Sequence, residues 1–118
     1  MARILIIDDD ANLRTILGHV LKEAGHEVNV AADGREGIKQ HRAAPADLII
    51  TDLFMPEQEG LETIRQLHRE FPELAIIAMS GVDPTNTMLT IALKLGAAKV
   101  LQKPFDVEKL LKTVDEVL

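Results

Sequence analysis

The chain has 118 residues, of which 47% are hydrophobic and 27% are charged, a composition that predicts one soluble domain over residues 1–118. Its net charge of −6 and its 3% of aromatic residues argue against direct binding to nucleic acid, and the absence of cysteine excludes disulfides and thiolate metal sites. No stretch approaches the roughly 18 apolar residues of a membrane span, so we expect a cytoplasmic protein without membrane contact.

Short apolar runs alternate with helical patterns along the chain. In chain order, the runs predict strands at 4–7, 28–31, 48–50, 75–79 and 99–101. Apolar residues spaced three or four apart predict helices around 13–21, 36–42, 61–67, 88–95 and 107–114. The prediction of the second helix depends on little more than one apolar residue, Ile38. Gly25 and Gly96 follow helical patterns and are expected to end those helices.

This order of elements predicts an α/β fold built from βα units. Because the apolar runs are mostly continuous, they suit a parallel sheet that is covered by helices on both faces. Right-handed crossovers then give an open, doubly wound, five-stranded parallel sheet with five helices. Binding sites in such sheets lie at the carboxyl ends of the strands, so the residues that follow each strand are the first candidates for function.

Polar residues follow four of the predicted strands at that edge: Asp8, Asp9 and Asp10 after the first, Asp52 after the third, Ser80 after the fourth and Lys103 after the fifth. Each has an ordinary explanation on its own. Asp10 suits the N-cap of a helix, Ser80 suits a turn, and Lys103 suits a solvated surface. One shared site accounts for their common position better than separate coincidences do.

The chemistry that this set of residues supports is narrow. Clustered oxygen ligands, with no cysteine and no histidine in the pattern, favour a hard cation such as Mg²⁺. A metal ion beside a carboxylate, a lysine and a hydroxyl is suited to phosphoryl transfer. A carboxylate can itself act as the nucleophile of such a reaction.

Four stretches of the sequence carry a resemblance to a known family: ILIIDDDANLRTIL, DLIITDLFMPEQEG, IIAMSG and GAAKVLQKPF. They are similar to the signature motifs of the receiver domain of two-component response regulators, and they span nearly the whole chain. The resemblance implies a flavodoxin-like sheet with strand order 2-1-3-4-5. It implies a signalling domain that catalyses only its own phosphotransfer and autodephosphorylation. It also implies a sensor histidine kinase or a phosphotransfer protein of a phosphorelay as donor, and a downstream protein or a covalently linked effector domain as output.

The resemblance further implies the roles of the acidic residues. Asp52 matches the phosphoacceptor of the family. Asp8 and Asp9 match the acidic pair that holds Mg²⁺. Asp52 and the backbone carbonyl of Phe54 are expected to complete the protein ligands of the metal ion.

Other positions follow or depart from the family pattern. Ser80 matches the hydroxyl residue that binds the phosphoryl group, and Lys103 matches the lysine that pairs with a phosphoryl oxygen. The bond between Lys103 and Pro104 is expected to be cis. Val100 stands where many receivers carry Tyr or Phe, so the usual aromatic rotamer change is missing. Glu59 is a milder departure from the family pattern, at the position before the loop glycine Gly60. We expect Glu59 on an exposed loop.

Two other classes of protein stay open as alternatives. Asp8 and Asp10 form an Asp-x-Asp pair, as in haloacid-dehalogenase-like phosphohydrolases, where Asp8 would be the nucleophile and Asp10 the acid/base. The chain is short for that fold, and the stretch TDLFMP would have no role. A flavodoxin-like flavin binder is the second alternative, but the chain lacks a hydroxyl-rich phosphate loop after the first strand and the aromatic residues that usually flank a flavin.

The histidines are not expected to bind a metal ion. His19, His26, His41 and His68 show no spacing typical of ligands. We expect them at the surface or at the boundary of the core.

Overall fold

The structure is a computed structural model that describes residues 1–53, 59–81 and 87–118. The described residues form five strands and five helices in alternation: β1 Arg3–Ile7, α1 Ala11–Glu23, β2 Glu27–Ala31, α2 Gly34–Ala43, β3 Leu48–Asp52, α3 Glu59–Glu70, β4 Ala75–Ser80, α4 Thr87–Leu95, β5 Lys99–Gln102 and α5 Val107–Val117. Every strand and helix that the sequence predicted is present. None of the helices in this part of the chain is long and apolar enough to cross a membrane.

The strands form one parallel sheet in the order β2-β1-β3-β4-β5, which confirms the predicted topology. The strand order changes direction at β1, which lies between β2 and β3. A crevice opens at the carboxyl ends of the strands where the order changes direction. The ends of β1 and β3 lie at this position, so the residues that follow them face the natural binding site of the fold.

Helices cover the sheet on both faces and bury its central strands. Side chains alternate between the two faces along each strand, so neighbouring residues of β3 enter different core layers. Ile49 packs in the layer covered by α2, α3 and α4, whereas Ile50 packs in the layer covered by α1 and α5. Burial on both faces explains why the central strands are continuous in apolar residues.

The ends of several helices follow the predicted signals. Asp10 is the N-cap of α1, and its Oδ1 accepts hydrogen bonds from the backbone N–H groups of Asn12 and Leu13 at 2.9 and 3.2 Å. Gly25 and Gly96 follow α1 and α4 with φ values of 97° and 127°, a region that favours glycine. The peptide bond between Lys103 and Pro104 is cis, as expected.

The expectation that the histidines lie at the surface or its boundary is wrong for His41, which is buried. Its Nδ1 accepts a hydrogen bond from the backbone N–H of Ala46 at 3.0 Å. Its ring packs edge to face on Phe71, with 4.5 Å between the ring centroids. Burial lowers the pKa of His41 below its ordinary value, and the negative charge of Glu70 opposes this shift without cancelling it.

We expect His41 to make the protein less stable in mild acid. Because its pKa is lower in the folded state than in the unfolded state, the unfolded state binds more protons as the pH falls through about 6.5. His41→Gln keeps a hydrogen-bond acceptor but does not titrate. Urea unfolding at about pH 7.5 and about pH 5.5 should show a smaller loss of stability in this variant than in the wild type. Equal losses of stability in the variant and the wild type would show that His41 is not the cause of the acid sensitivity.

Candidate functional site

The carboxyl ends of β1 and β3 bring three carboxylates together. Ile7 at the end of β1 pairs with Thr51 of β3, so the residues that follow them emerge side by side. One oxygen from each of Asp8, Asp9 and Asp52 lies within 4.8 Å of the other two. Asp8 and Asp52 are 0% and 4% exposed, whereas Asp9 is exposed to solvent. The cluster therefore combines two buried carboxylates with one that solvent can reach.

Lys103 brings a positive charge to this cluster from the end of β5. Its Nζ lies 3.3 Å from Oδ2 of Asp52 and 3.5 Å from Oδ2 of Asp8. The backbone N–H of Lys103 donates to the carbonyl of Ser80 at 2.6 Å, which ties the segment after β5 to the end of β4. The side chain of Lys103 is 27% exposed, so the ammonium group is partly shielded from water. One ammonium group thus contacts both buried carboxylates.

Asp8 is fixed by hydrogen bonds, and its environment disfavours its negative charge. Its Oδ1 accepts from the backbone N–H of Asp10 at 2.8 Å, and its carbonyl accepts from Nη1 of Arg14 at 2.7 Å. Burial raises the pKa of Asp8 above its ordinary value, while the hydrogen bond from Asp10 opposes the rise. The charge of Asp52 raises this pKa further, and Lys103 lowers it. Burial therefore dominates the rise in the pKa of Asp8, the charge of Asp52 adds to it, and a bound cation would favour the charged form of both carboxylates.

Ser80 places a hydroxyl group at the same edge of the sheet. It is the last residue of β4 and is fully buried. Its Oγ has no hydrogen-bond partner among the residues that the structure describes. Leaving a buried hydroxyl without a partner costs about 1–3 kcal/mol, and a role in binding or catalysis is one explanation for such a group.

The donor set fits Mg²⁺. The cluster of Asp8, Asp9 and Asp52 offers only carboxylate oxygens, which hard cations prefer. Mg²⁺ commonly takes one or two carboxylates and fills its other positions with water and phosphate oxygens. The solvent-exposed Asp9 leaves one side of the cluster open to such ligands. The backbone carbonyl of Phe54, predicted as a further ligand, lies outside the described residues.

Glu59 differs from its expected setting and has a contact that the sequence did not reveal. It is the first residue of α3 and is partly buried, rather than part of an exposed loop. Its Oε1 accepts a hydrogen bond from the backbone N–H of Gly34 at 2.6 Å. A Cβ added to the next residue, Gly60, would clash with the carbonyl oxygen of Asp52. The sequence shows Glu59 and Gly60 before a helical pattern, but it does not show that Glu59 contacts Gly34, 25 residues away.

The role that the phosphohydrolase alternative requires of Asp10 conflicts with the contacts of this residue. Both hydrogen bonds that Oδ1 of Asp10 accepts come from backbone N–H groups at the start of α1. A carboxylate engaged in this way is held as a helix cap. The side chain of Asp10 is thus engaged at the start of α1, whereas an acid/base catalyst needs a side chain that is free to reach the substrate.

The fold and the site together define a class of protein. A doubly wound parallel sheet carries three carboxylates, a lysine and a buried hydroxyl at its carboxyl edge. These are the groups that bind a hard cation and stabilise the charge on a phosphoryl group.

Comparison with known proteins identifies the family. The sequence model of the response regulator receiver domain family matches residues 4–115, and the chain belongs to this family. It is 31% identical over 116 residues to the chemotaxis protein CheY of Thermotoga maritima, covering 98% of this chain and 96% of that protein. It is 38% identical over 119 residues to the DNA-binding transcriptional regulator NtrC of Azospirillum brasilense, covering 99% of this chain but only 24% of that protein. The structure of the chemotaxis protein CheY4 of Vibrio cholerae matches with a TM-score of 0.91 and 34% identity, over 100% of this chain and 99% of that one.

Membership in this family makes the chain a receiver domain of two-component signalling, a class of phosphoacceptor domains that interact with histidine kinases. The matches give no support to the phosphohydrolase or the flavin-binding alternative. The chain spans about a quarter of the length of the NtrC relative and nearly all of the CheY relative.

Proposed function

We propose that this receiver domain accepts a phosphoryl group on Asp52, in the presence of Mg²⁺, from a sensor histidine kinase or a phosphotransfer protein. One observation carries the proposal. The carboxylate of Asp52 lies at the end of a buried strand, 3.3 Å from the ammonium group of Lys103 and within 4.8 Å of carboxylate oxygens of Asp8 and Asp9. Incubation with acetyl phosphate and Mg²⁺, followed by intact mass measurement, tests it and should show the addition of one phosphoryl group.

Asp52 is suited to act as the nucleophile because its backbone is held rigidly. Strand β3 pairs with β1 on one side and with β4 on the other. The N–H of Leu53 donates to the carbonyl of Met79 at 2.8 Å, which continues this support past the carboxylate. A carboxylate oxygen attacks phosphorus, the bond from phosphorus to the donor's imidazole nitrogen breaks, and that nitrogen takes up a proton. The product is an acyl phosphate on Asp52.

The surrounding residues bind and orient the phosphoryl group. Asp8, Asp9 and Asp52 would hold Mg²⁺, which when bound neutralises charge on the transferring oxygens. The ammonium group of Lys103, which contacts Asp52, would pair with one phosphoryl oxygen. The hydroxyl of Ser80 would donate a hydrogen bond to another and so gain a partner. The domain would also lose its phosphoryl group by slow hydrolysis, its autodephosphorylation.

We place the contact with the kinase on an apolar groove beside the site. The groove lies between α1 and the start of α5 and has a volume of about 320 Å³. Ile16 and Val107 border it and are 58% and 52% exposed. Exposed apolar surface of this kind is typical of an interaction site. The groove also includes Lys103, so a donor protein that docks there lies next to Asp52.

We propose that the signal leaves through a downstream protein or a covalently linked effector domain. One relative is a chemotaxis protein of nearly the same length, and another is a DNA-binding transcriptional regulator of which this chain spans 24%. The net charge of −6 favours an output in which this domain itself does not bind nucleic acid. Val100 is a small β-branched residue, so the output cannot use an aromatic rotamer change at position 100.

We place the domain in the cytoplasm, where ATP-derived phosphodonors are available.

We expect Mg²⁺ to raise the melting temperature of the protein. A ligand that binds only the folded state stabilises it by about 1.4 kcal/mol at roughly ten times its Kd. Asp9→Asn should remove most of this gain, because it deletes a charge from the cluster while leaving the core intact. Asp115→Asn alters an exposed aspartate of α5 and serves as the matched control, which should keep the full gain. If Mg²⁺ raised the melting temperature equally in the Asp9 and Asp115 variants, Asp9 would not be a ligand of the metal ion.

A further inference from the structure

The side chain of Glu59 links the start of α3 to the start of α2. Gly34 is the first residue of α2, and its N–H donates to Oε1 of Glu59 at 2.6 Å. The first N–H groups of a helix have no partner within the helix, so this carboxylate acts as a cap supplied by another element. Asp33 supplies the ordinary cap, accepting from the N–H of Glu36 at 2.8 Å. The helices also pack closely here, since a Cβ at Gly34 would clash with Oγ1 of Thr63.

Gly60 extends this link to the backbone of the phosphoacceptor. It follows Glu59 in α3 and is buried. A Cβ at Gly60 would clash with the carbonyl oxygen of Asp52 and with the Cα of Leu53. Both are backbone atoms, which cannot rotate aside as a flexible side chain could. The start of α3 therefore lies directly against the residue that carries the carboxylate.

We propose that Glu59 is a positioning residue that fixes Asp52 for phosphoryl transfer, acting through Gly60 and anchored on α2. This inference rests on the proposed role of Asp52 as phosphoacceptor. Without the carboxylate of Glu59, the start of α3 loses its hydrogen bond to α2, and we expect Asp52 to shift relative to Asp8 and Lys103. Transfer is sensitive to such shifts, because a misplacement of about 1 Å can cost roughly 100-fold in rate.

The test compares variants that affect the same helix start in different ways. Glu59→Ala removes the link between the helices, Glu59→Gln keeps an oxygen acceptor, and Asp33→Ala removes only the ordinary cap of α2. Melting temperatures and initial rates of phosphorylation by acetyl phosphate, at saturating donor and Mg²⁺, are measured for each. We expect Glu59→Ala to be slowed about tenfold or more, and the other two to stay within about twofold of the wild type.

The comparison separates positioning from stability. Equal rates in Glu59→Ala and Asp33→Ala, whether fast or slow, would overturn the proposal, because the rate would then not depend on the link to α3. Should Glu59→Ala fail to fold, Glu59→Asp replaces it, since it keeps the charge but shortens the side chain, and the same slowing is expected. The wild-type rate tests the proposed function separately: a wild type that takes up no phosphoryl group contradicts the role of Asp52 itself.

Discussion

We expect Asp52→Asn to take up no phosphoryl group when it is incubated with acetyl phosphate and Mg²⁺, whereas the wild type should take up one. Asparagine has nearly the same shape as aspartate, but its amide oxygen is a poor nucleophile, so transfer should fall by about four orders of magnitude or more. Because Asp52 is 4% exposed and repelled by Asp8, the loss of its charge should leave the fold intact. Intact mass measurement over a time course records the uptake directly.

Asp8→Asn is the matched control for this result. It removes a neighbouring carboxylate of the same cluster and keeps the proposed nucleophile. We expect this variant to be phosphorylated more slowly than the wild type, because one metal ligand is weakened, but still to be phosphorylated. The reverse pattern, uptake by Asp52→Asn and none by Asp8→Asn, would favour the phosphohydrolase alternative.

Lys103→Met should strongly reduce both metal-free stability and phosphorylation. Removing one partner of a buried ion pair costs about 3–5 kcal/mol, and the 27% exposure of Lys103 places the expected loss at about 2–3 kcal/mol. Two buried carboxylates, Asp8 and Asp52, then lack their common cation. Phosphorylation should slow by about 100-fold, because the ammonium group no longer pairs with a phosphoryl oxygen. Urea unfolding with EDTA and the acetyl phosphate assay measure the two effects.

The pH dependence of the Lys103→Met variant has a definite sign. The pKa of Asp8 is raised by burial and lowered by Lys103, so losing Lys103 should raise it further. Above the pKa of Asp8, its charged carboxylate lacks the ammonium group of Lys103, and the loss of stability relative to the wild type is largest. As the pH falls through the pKa of Asp8, protonation removes the repulsion and the deficit shrinks. A deficit that is constant across this range, or equal to that of the exposed-lysine control Lys112→Met, would contradict the ion-pair account.

Some elements could be predicted from the sequence because their signals are local. The central strands are buried on both faces, which makes them continuous in apolar residues. The cap of α1 follows from Asp10, and the helix ends follow from Gly25 and Gly96. Parallel strands share a carboxyl edge, so the position of Asp52 at the end of β3 followed from the order of elements alone.

Helix α2 shows where an apolar pattern carries little information. Its buried residues are Gly34, Gly37, Ile38 and His41, of which only Ile38 is a large apolar residue. The glycines are buried because the helix packs closely: a Cβ at Gly37 would clash with the side chain of Ile7. No hydrophobic periodicity records such a contact. For the same reason the burial of His41 against Phe71 could not be predicted.

The other features that could not be predicted from the sequence are contacts between distant parts of the chain. Lys103 and Asp8 are 95 residues apart, and the sequence predicted a shared edge for them but no distance. The hydrogen bond from Gly34 to Glu59 depends on how α2 and α3 pack, which local patterns do not specify. Such contacts decide the geometry of the site within an otherwise predictable fold.

Mapping the modified residue tests the central claim most directly. After phosphorylation with acetyl phosphate, sodium borohydride reduces an aspartyl phosphate to homoserine, and sequencing of peptides by mass spectrometry then locates the converted residue. We predict homoserine at position 52 and unmodified aspartate at positions 8, 9 and 10. Conversion at Asp8, Asp9 or Asp10 with Asp52 unchanged would contradict the assignment of Asp52 as the phosphoacceptor.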